Sequence, residues 1–326
     1  MRELRLWLAP RQGMLFSVAL FLAMFALYIG NHPAGLTVNV ATTAANKGVL
    51  LALVAMAQTL PVLTGGLDLS VGMVFILTNC LASHLVVGSA AEVVLGLVAV
   101  LATGIAAGAV NGAIVVYGRL QPIITTLATG AVYYGFALLL RPVPGGQVDE
   151  DLANFMTYTV LDVVPTALVL LVVVVLVIWV PFRKSETGRA CYAVGSAEGA
   201  AFMSGVPIAR AKLVAYMLSG LIAAIAGILL TFVTFSGEAS APAGGTYTLN
   251  SIAAVVIGGT SLYGGAGGAI GSIFGAFVLR TIEDLLFVFD LPPLWQPLFQ
   301  GVVLLAAVSL GAARVFRVTN RLELFG

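Results

Sequence analysis

The side chains able to do chemistry in this chain are few enough to take one at a time. Asp68 lies in Leu63-Thr-Gly-Gly-Leu-Asp-Leu-Ser-Val-Gly72, two residues before Ser70. Its carboxylate has two possible uses there: accepting backbone N–H groups at the start of the next helix, or carrying a proton. Arg280 is followed three and four residues later by Glu283 and Asp284, the spacing of an intrahelical ion pair. The remaining polar groups inside apolar runs are Gln58, Asn79, His84, Asn111, Thr125, Thr126, Thr129, Gln296 and Gln300. Each can bond a neighbouring helix or touch a passing solute. No ladder of acidic residues crosses the apolar runs, so a proton- or sodium-coupled pump lacks its usual parts and a neutral solute is expected. Nothing resembles catalytic machinery. There is no G-x-x-x-x-G-K-[ST] loop, and Lys184-Ser185 follows Arg183 rather than glycine. His32 and His84 do not make a metal cluster, and no G-x-S-x-G elbow occurs. Cys80 and Cys191 are expected to pack rather than to form a disulfide framework. The chain is therefore expected to hold no catalytic residue, metal or cofactor of its own.

The elements that position these groups follow from composition. The 326 residues are 60% hydrophobic and 9% charged, against about 25% charge in a soluble domain. That excludes an ordinary soluble enzyme. A net charge of +1 leaves no basic surplus for a nucleic-acid partner. Roughly 196 apolar residues would supply roughly ten helices of ~20 residues each. The apolar runs are continuous rather than alternating, which disfavours a barrel. The fold class is all-α polytopic, one transmembrane domain over 1–326. Spans are expected at 14–30, 46–63, 70–87, 92–117, 122–140, 163–182, 213–236, 250–263, 269–287 and 294–312. The first follows Arg2, Arg5 and Arg11 without a small-residue cleavage pattern, so it reads as an uncleaved helix. With both ends inside, Arg2, Arg5, Arg11, Arg119, Arg183, Lys184, Arg189, Arg210, Lys212, Arg314, Arg317 and Arg321 all face the cytoplasm. Only Lys47 and Arg141 fall outside, and Arg280 lies within a helix.

Glycine shapes the rest. It interrupts the helical pattern at Leu63–Gly72 and again at Ile257–Gly268, in both halves of the chain. Such breaks read either as tight turns at the membrane face or as unwound backbone lining a path. On the second reading, Gly65, Gly66, Asp68, Ser70, Gln58, Asn79, Asn111, Thr126, Gly258 and Gly259 are the candidates for a path or gate. Gly104, Gly108 and Gly112, and likewise Gly267, Gly271 and Gly275, recur every four residues as smooth helix-packing stripes, one of which could lie at a subunit interface. A loop at about 183–212 is the one long cytoplasmic connection. Its Ala-rich stretch Ser196–Ser204, between Gly195 and Gly205-Val-Pro207, reads as a short helix. It is either a charged connector or a piece that docks into a partner's groove.

Three segments together resemble the ribose-type sugar permeases of bacterial ABC importers. They are LTGGLDLSVG at Leu63–Gly72, TGRACYAVGSAEGAAFMSGV at Thr187–Val206 and VVIGGTSLYGGAGGAIGSIFGA at Val255–Ala276. Asn111-Gly112 and Pro122-Ile-Ile-Thr-Thr-Leu127 add weaker matches, and the similarity runs from Asn46 to Gly311. The resemblance implies a multi-pass subunit of the bacterial inner membrane, set in membrane lipid, that imports a monosaccharide or sugar-like solute. It implies partners too: ABC ATPase subunits that bind ATP and Mg, a periplasmic sugar-binding protein, and a second permease copy or paralogue forming a dimer. The ATPase-coupling loop then maps onto Gly188, Arg189, Gly195, Ala200, Ala201, Ser204 and Gly205. Two positions depart from the family pattern: Ser196-Ala197 replaces its Gly-Asn, and Tyr134-Gly135 replaces its Arg-Gly. An autonomous channel or secondary transporter for a small neutral solute is the alternative, since the two broken-helix segments would serve it equally.

Overall fold

A computed structural model describes residues 12–299, 301, 302 and 305. In chain order its helices are α1 (Gln12–Asn31), α2 (Val38–Leu63), α3 (Val71–Leu85), α4 (Ala90–Tyr117) and α5 (Pro122–Leu140), then a short α6 (Glu150–Thr157). After a two-stranded hairpin, β1 (Thr159–Val160) with β2 (Val164–Pro165), come α7 (Thr166–Val174), a π-helical turn (Val175–Trp179) and α8 (Val180–Lys184), which form one rod. Next are α9 (Glu186–Ser196), α10 (Glu198–Met203), α11 (Ile208–Thr234), α12 (Ala241–Ile257) and α13 (Ala269–Val288). Among the described residues six helices are long and apolar enough to cross a membrane: α1, α2, α4, α5, the α7–α8 rod and α11. The arginines at 2, 5, 11, 314, 317 and 321, and most of the span expected at 294–312, lie outside the described residues.

The helix ends have local causes. Thr37 caps α2 by accepting from Val40 N, and Ser89 and Glu92 make a reciprocal capping box at α4. Pro122 opens α5 at a position whose N–H needs no partner. In the α7–α8 rod, Pro181 removes a backbone donor and crowds the carbonyl one turn before it, and the helix widens into a π turn just upstream.

α2 forms the mast of the bundle. From Gly48 to Leu63 every residue is buried, so a helix that is apolar all round is enclosed by other helices rather than by lipid. α11 packs on α4, α2 and α3, and α13 packs on α2, α1 and α12. Glycine allows these contacts. A Cβ at Gly104 would lie 2.4 Å from Gly220 O on α11, and one at Gly108 would lie 2.1 Å from Tyr216 O. Gly112 meets Leu213 of the same helix, so the first stripe is filled within the chain. On α13, Gly271 sits against Gly258 O and Gly275 against Ala254 O. Gly267 is the exception. It precedes α13 in a loop at φ +110°, so its glycine serves a turn and not the stripe.

Several boundaries differ from expectation. The run expected at 250–263 ends as helix at Ile257: Gly258 caps it, and Gly259 at φ +78° leaves the helical region. α2 begins eight residues before the expected 46, under its Thr37 cap. The α6 helix and the hairpin were not anticipated. The α6 helix packs on α11 and the second strand of the hairpin on α2. Nearby, Asp149 N donates to Val86 O at the end of α3, and Gly145 pairs with Gly237 across two loops. Asp149, Glu150, Asp151, Asp162 and Glu238 gather at this end, whereas Arg119, Arg183, Lys184, Arg189, Arg210 and Lys212 gather at the other.

Gly108→Ala puts a methyl group into the α4–α11 backbone contact, at an expected overpacking cost of about 1–3 kcal/mol. Gly135→Ala, where nothing lies within 4 Å of the new Cβ, is expected to be neutral. Thermal unfolding of the detergent-solubilised variants checks this, and equal midpoints for the two would contradict the packing assignment.

Candidate functional site

Between α2 and α3 the chain is not helical, yet Thr64, Gly66, Asp68 and Ser70 are buried and Leu67 and Leu69 half-buried. Leu63 is followed by a turn in which Thr64 N and Gly66 N donate to Pro61 O, with Gly65 at φ +78°. The stretch Leu67–Ser70 then runs among α2, α4, α5 and α11. α3 has 15 residues, about 22 Å at 1.5 Å per residue, which is short of the ~30 Å apolar core. The non-helical stretch makes up the difference.

Backbone in that position lacks the internal bonds of a helix, so side chains must supply them. The Gln58 amide, oriented by its partners, donates to Asp68 O at 2.8 Å and accepts from Asp68 N at 3.2 Å. Thr126 Oγ1 accepts from Leu69 N at 2.8 Å and donates to Pro122 O at 2.9 Å. Asp68 Oδ1 accepts from Ser70 N at 2.9 Å and from Ser70 Oγ at 2.6 Å. That is a local Asx-type turn leading into α3. Ser70 Oγ in turn accepts from Asn111 Nδ2 at 2.7 Å. The Tyr133 hydroxyl lies 2.9 Å from Ala107 O and 3.1 Å from Asn111 Oδ1, sharing its proton between them. Gly72 N donates to Thr248 Oγ1 on α12 at 3.1 Å.

Five sequence candidates, Gln58, Asp68, Ser70, Asn111 and Thr126, are thus brought together. All are buried, and their hydrogen bonds run to one another, to backbone and, for Asn111, to Tyr133. Asn79 is elsewhere. It donates to Thr231 Oγ1 and Ser236 O and accepts from Glu238 N, tying α3 to the loop after α11 at the acidic end. Gly258 and Gly259 form the turn closing α12, with Gly258 against Gly271 and Gly259 against Gly13. Neither pair of glycines interrupts a single continuous helix; each joins two successive ones. Arg280 does pair with Glu283 and Asp284 on α13.

The loop at 183–212 meets both turns. Ser185 caps α9 by accepting from Gly188 N at 3.0 Å, and α9 ends at Ser196, where Ala197 turns extended before α10. A Cβ at Gly195 would lie 2.0 Å from Leu63 O and 2.5 Å from Gly265 N. One at Gly264 would lie 2.7 Å from Gly65 N and 2.8 Å from Gly195 Cα. Gly265 N itself donates to Leu63 O at 3.1 Å, and Tyr192 donates to Gly267 O at 2.9 Å. Three separate segments therefore touch backbone to backbone, with only glycine between them. Burial and desolvation push the Cys191 thiol on α9 up to about 12, which leaves it a packing group.

The two alanines of α10 divide. Ala201 is buried and Ala200 is exposed. Ser204 is exposed, and Gly205 closes the helix at φ +74°. Arg189 is exposed and donates to Lys184 O. Attention to small residues passes over the two largest side chains here: Phe202 is 71% exposed and Met203 86%. Their adjacency on a six-residue helix was visible in the sequence, but not which way they point.

Comparison with known proteins adds the following. The family described as branched-chain amino acid transport system / permease component matches residues 40–308. The chain is 34% identical to the ribose import permease protein RbsC of Bacillus subtilis, over 79% of this chain and 80% of that one. It is 33% identical to RbsC of Escherichia coli K12, over 90% and 91%, and 28% identical to the E. coli D-allose transport system permease protein AlsC, over 92% and 91%. No solved structure matches the chain.

Gln58→Leu strands the N–H and C=O of Asp68, at about 1–3 kcal/mol per unsatisfied group. Asp68→Asn keeps an oxygen able to accept from Ser70 and is expected to retain most transport. Abolished transport in a stably folded Asp68→Asn protein, scored by uptake beside a melting curve, would instead identify a proton carrier.

Proposed function

Because the chain belongs to the ribose-type monosaccharide permeases of ABC importers, we propose that it forms, as one domain, the path by which a monosaccharide or sugar-like solute moves from periplasm to cytoplasm, driven by a separate ATPase. The observation that carries this reading is the backbone contact of Gly195 with the turns after α2 and after α12. An ATPase gripping α10 holds the end of a lever. Its other end rests on Leu63, and through Gly265 on the α12–α13 connection. Rigid contacts of this kind transmit displacement because packed backbone has no side-chain freedom to absorb it.

The grip is read from Phe202 and Met203, whose exposed apolar surfaces suit insertion into a partner's cleft, with Ala200 and Ser204 allowing close approach beside them. Arg189 adds a charge for an acidic rim. The basic residues around this loop set it on the cytoplasmic side, and the acidic end of the bundle then meets the periplasmic binding protein. Ten crossings with both termini inside complete the topology. The exposed apolar side chains of α5, among them Leu127, Phe136 and Leu139, face lipid or a second permease copy or paralogue. The family description speaks of amino acids, whereas the relatives' names speak of ribose and allose. The sugar class is preferred because those relatives align over most of their length.

Truncating both Phe202 and Met203 to Ala removes roughly 1.5–3 kcal/mol of burial per side chain. The ATPase is then expected to bind about 100-fold more weakly or worse, with the permease still inserted. Pull-down of the ATPase together with ATP-driven uptake of D-ribose and D-allose into vesicles measures both halves of the reading. Unchanged ATPase retention would remove the coupling role, and solute flux through the permease alone would point to a channel.

A further inference from the structure

A cavity of about 390 Å³ opens beside the Gly195 junction, within the size range of small-molecule pockets, about 300–1,000 Å³. It is lined by Thr64 and the glycines after it, by Ser196 and Glu198 of the coupling loop, by Lys212 and Tyr216 of α11, and by Tyr263. Its charge is balanced. Lys212 Nζ donates to both carboxylate oxygens of Glu198, at 2.7 and 2.8 Å, so no free cation invites an anion. Its surface is mixed, with hydrogen-bonding groups prevailing over the apolar wall of Val115, Pro122, Val194 and Ala197. The Thr64 and Ser196 hydroxyls donate to backbone carbonyls and keep their oxygens as acceptors. The Tyr216 side chain is 1% exposed, and its hydroxyl, set against Gly66, has no hydrogen-bond partner among the described residues. Such a group marks an unmet bond that a ligand could make. Tyr263, 82% exposed, offers an aromatic face at the mouth.

Acceptors, one unmet hydroxyl and a ring face, without net charge, suit one chemistry. We propose that this cavity binds a neutral, polyhydroxylated solute of monosaccharide size, held between the coupling loop and the turn after α2. The solute class rests on the sugar reading above, while the site rests on the cavity.

Maleimide labelling of the full chain in lipid nanodiscs tests it. The native thiols Cys80 and Cys191 are both buried, so a Ser196→Cys protein reports on the cavity wall. D-ribose or D-allose is expected to slow labelling of Ser196→Cys several-fold. The same sugars are expected to leave Gly199→Cys, which faces open space on α10, unaffected. Tyr216→Phe, which removes only the unmet hydroxyl, is expected to abolish the protection of Ser196→Cys. Unchanged labelling with both sugars, equal protection of Gly199→Cys, or protection that survives Tyr216→Phe would each overturn the site. Uptake of the two sugars, followed in parallel, keeps the readings apart: uptake without protection removes the cavity proposal alone, and protection without uptake supports the site while removing the transport assignment.

Discussion

A stretch of peptide that leaves the helix inside an apolar bundle must have its N–H and C=O groups bonded, and the architecture around Leu67–Ser70 follows from that constraint. An apolar bundle supplies little water for them, so side chains must act as partners. Gln58 bonds both backbone groups of Asp68, Thr126 takes Leu69 N, and Asp68 turns its carboxylate onto Ser70. Each of these side chains comes from a different place in the chain, so satisfying four residues of backbone fixes α2, α5 and the start of α3 together. Asn111 and Tyr133 extend the same network into α4 and the middle of α5. Buried polar networks of this type are costly when partly broken, and they specify one arrangement when complete.

This stretch has a consequence at the cationic end. Gln58, Thr126 and Asn111 tie Leu67–Ser70 to three helices, and the turn just before it presents Leu63 O to the loop at 183–212. Gly195 rests on that carbonyl, and Gly265 N donates to it. In the proposed coupling, motion of the loop at 183–212 is carried by these backbone contacts. It passes into α2, whose last sixteen residues are wholly buried, and into the α12–α13 connection. The α4–α11 contact through Gly104, Gly108 and Gly220 joins the helix after the loop to the same bundle.

Much of this was legible in the sequence, for reasons that particular residues make plain. Long apolar runs located the six described helices that are long and apolar enough to cross a membrane, and the four-residue spacing of Gly104, Gly108 and Gly112 identified a backbone contact before its partner helix was known. Arg280 with Glu283 and Asp284 follows directly from helical periodicity. Asp68 was legible as an acceptor for backbone N–H at the start of α3, and it does accept from Ser70 N. The backbone bonds of Gln58 and Thr126 were not legible, since residue types cannot show that the chain between two helices leaves the helix and stays largely buried. Gly267 fits a four-residue stripe by spacing alone, and only its positive φ separates it from Gly271 and Gly275. Phe202 and Met203 were hidden for a related reason: on a helix of six residues no apolar periodicity exists to say which side chains face out. The α6 helix and its hairpin are too short to leave a pattern.

The Gly195 junction is the element proposed to transmit the ATPase's work. The most direct measurement is the amount of sugar imported per ATP hydrolysed by the assembled transporter carrying Gly195→Ala, set beside Gly199→Ala, whose new methyl group meets nothing within 4 Å. With Gly195→Ala the transporter is expected to keep hydrolysing ATP while import falls away, and with Gly199→Ala to behave as with the unaltered chain. Undiminished import per ATP in Gly195→Ala would contradict that role.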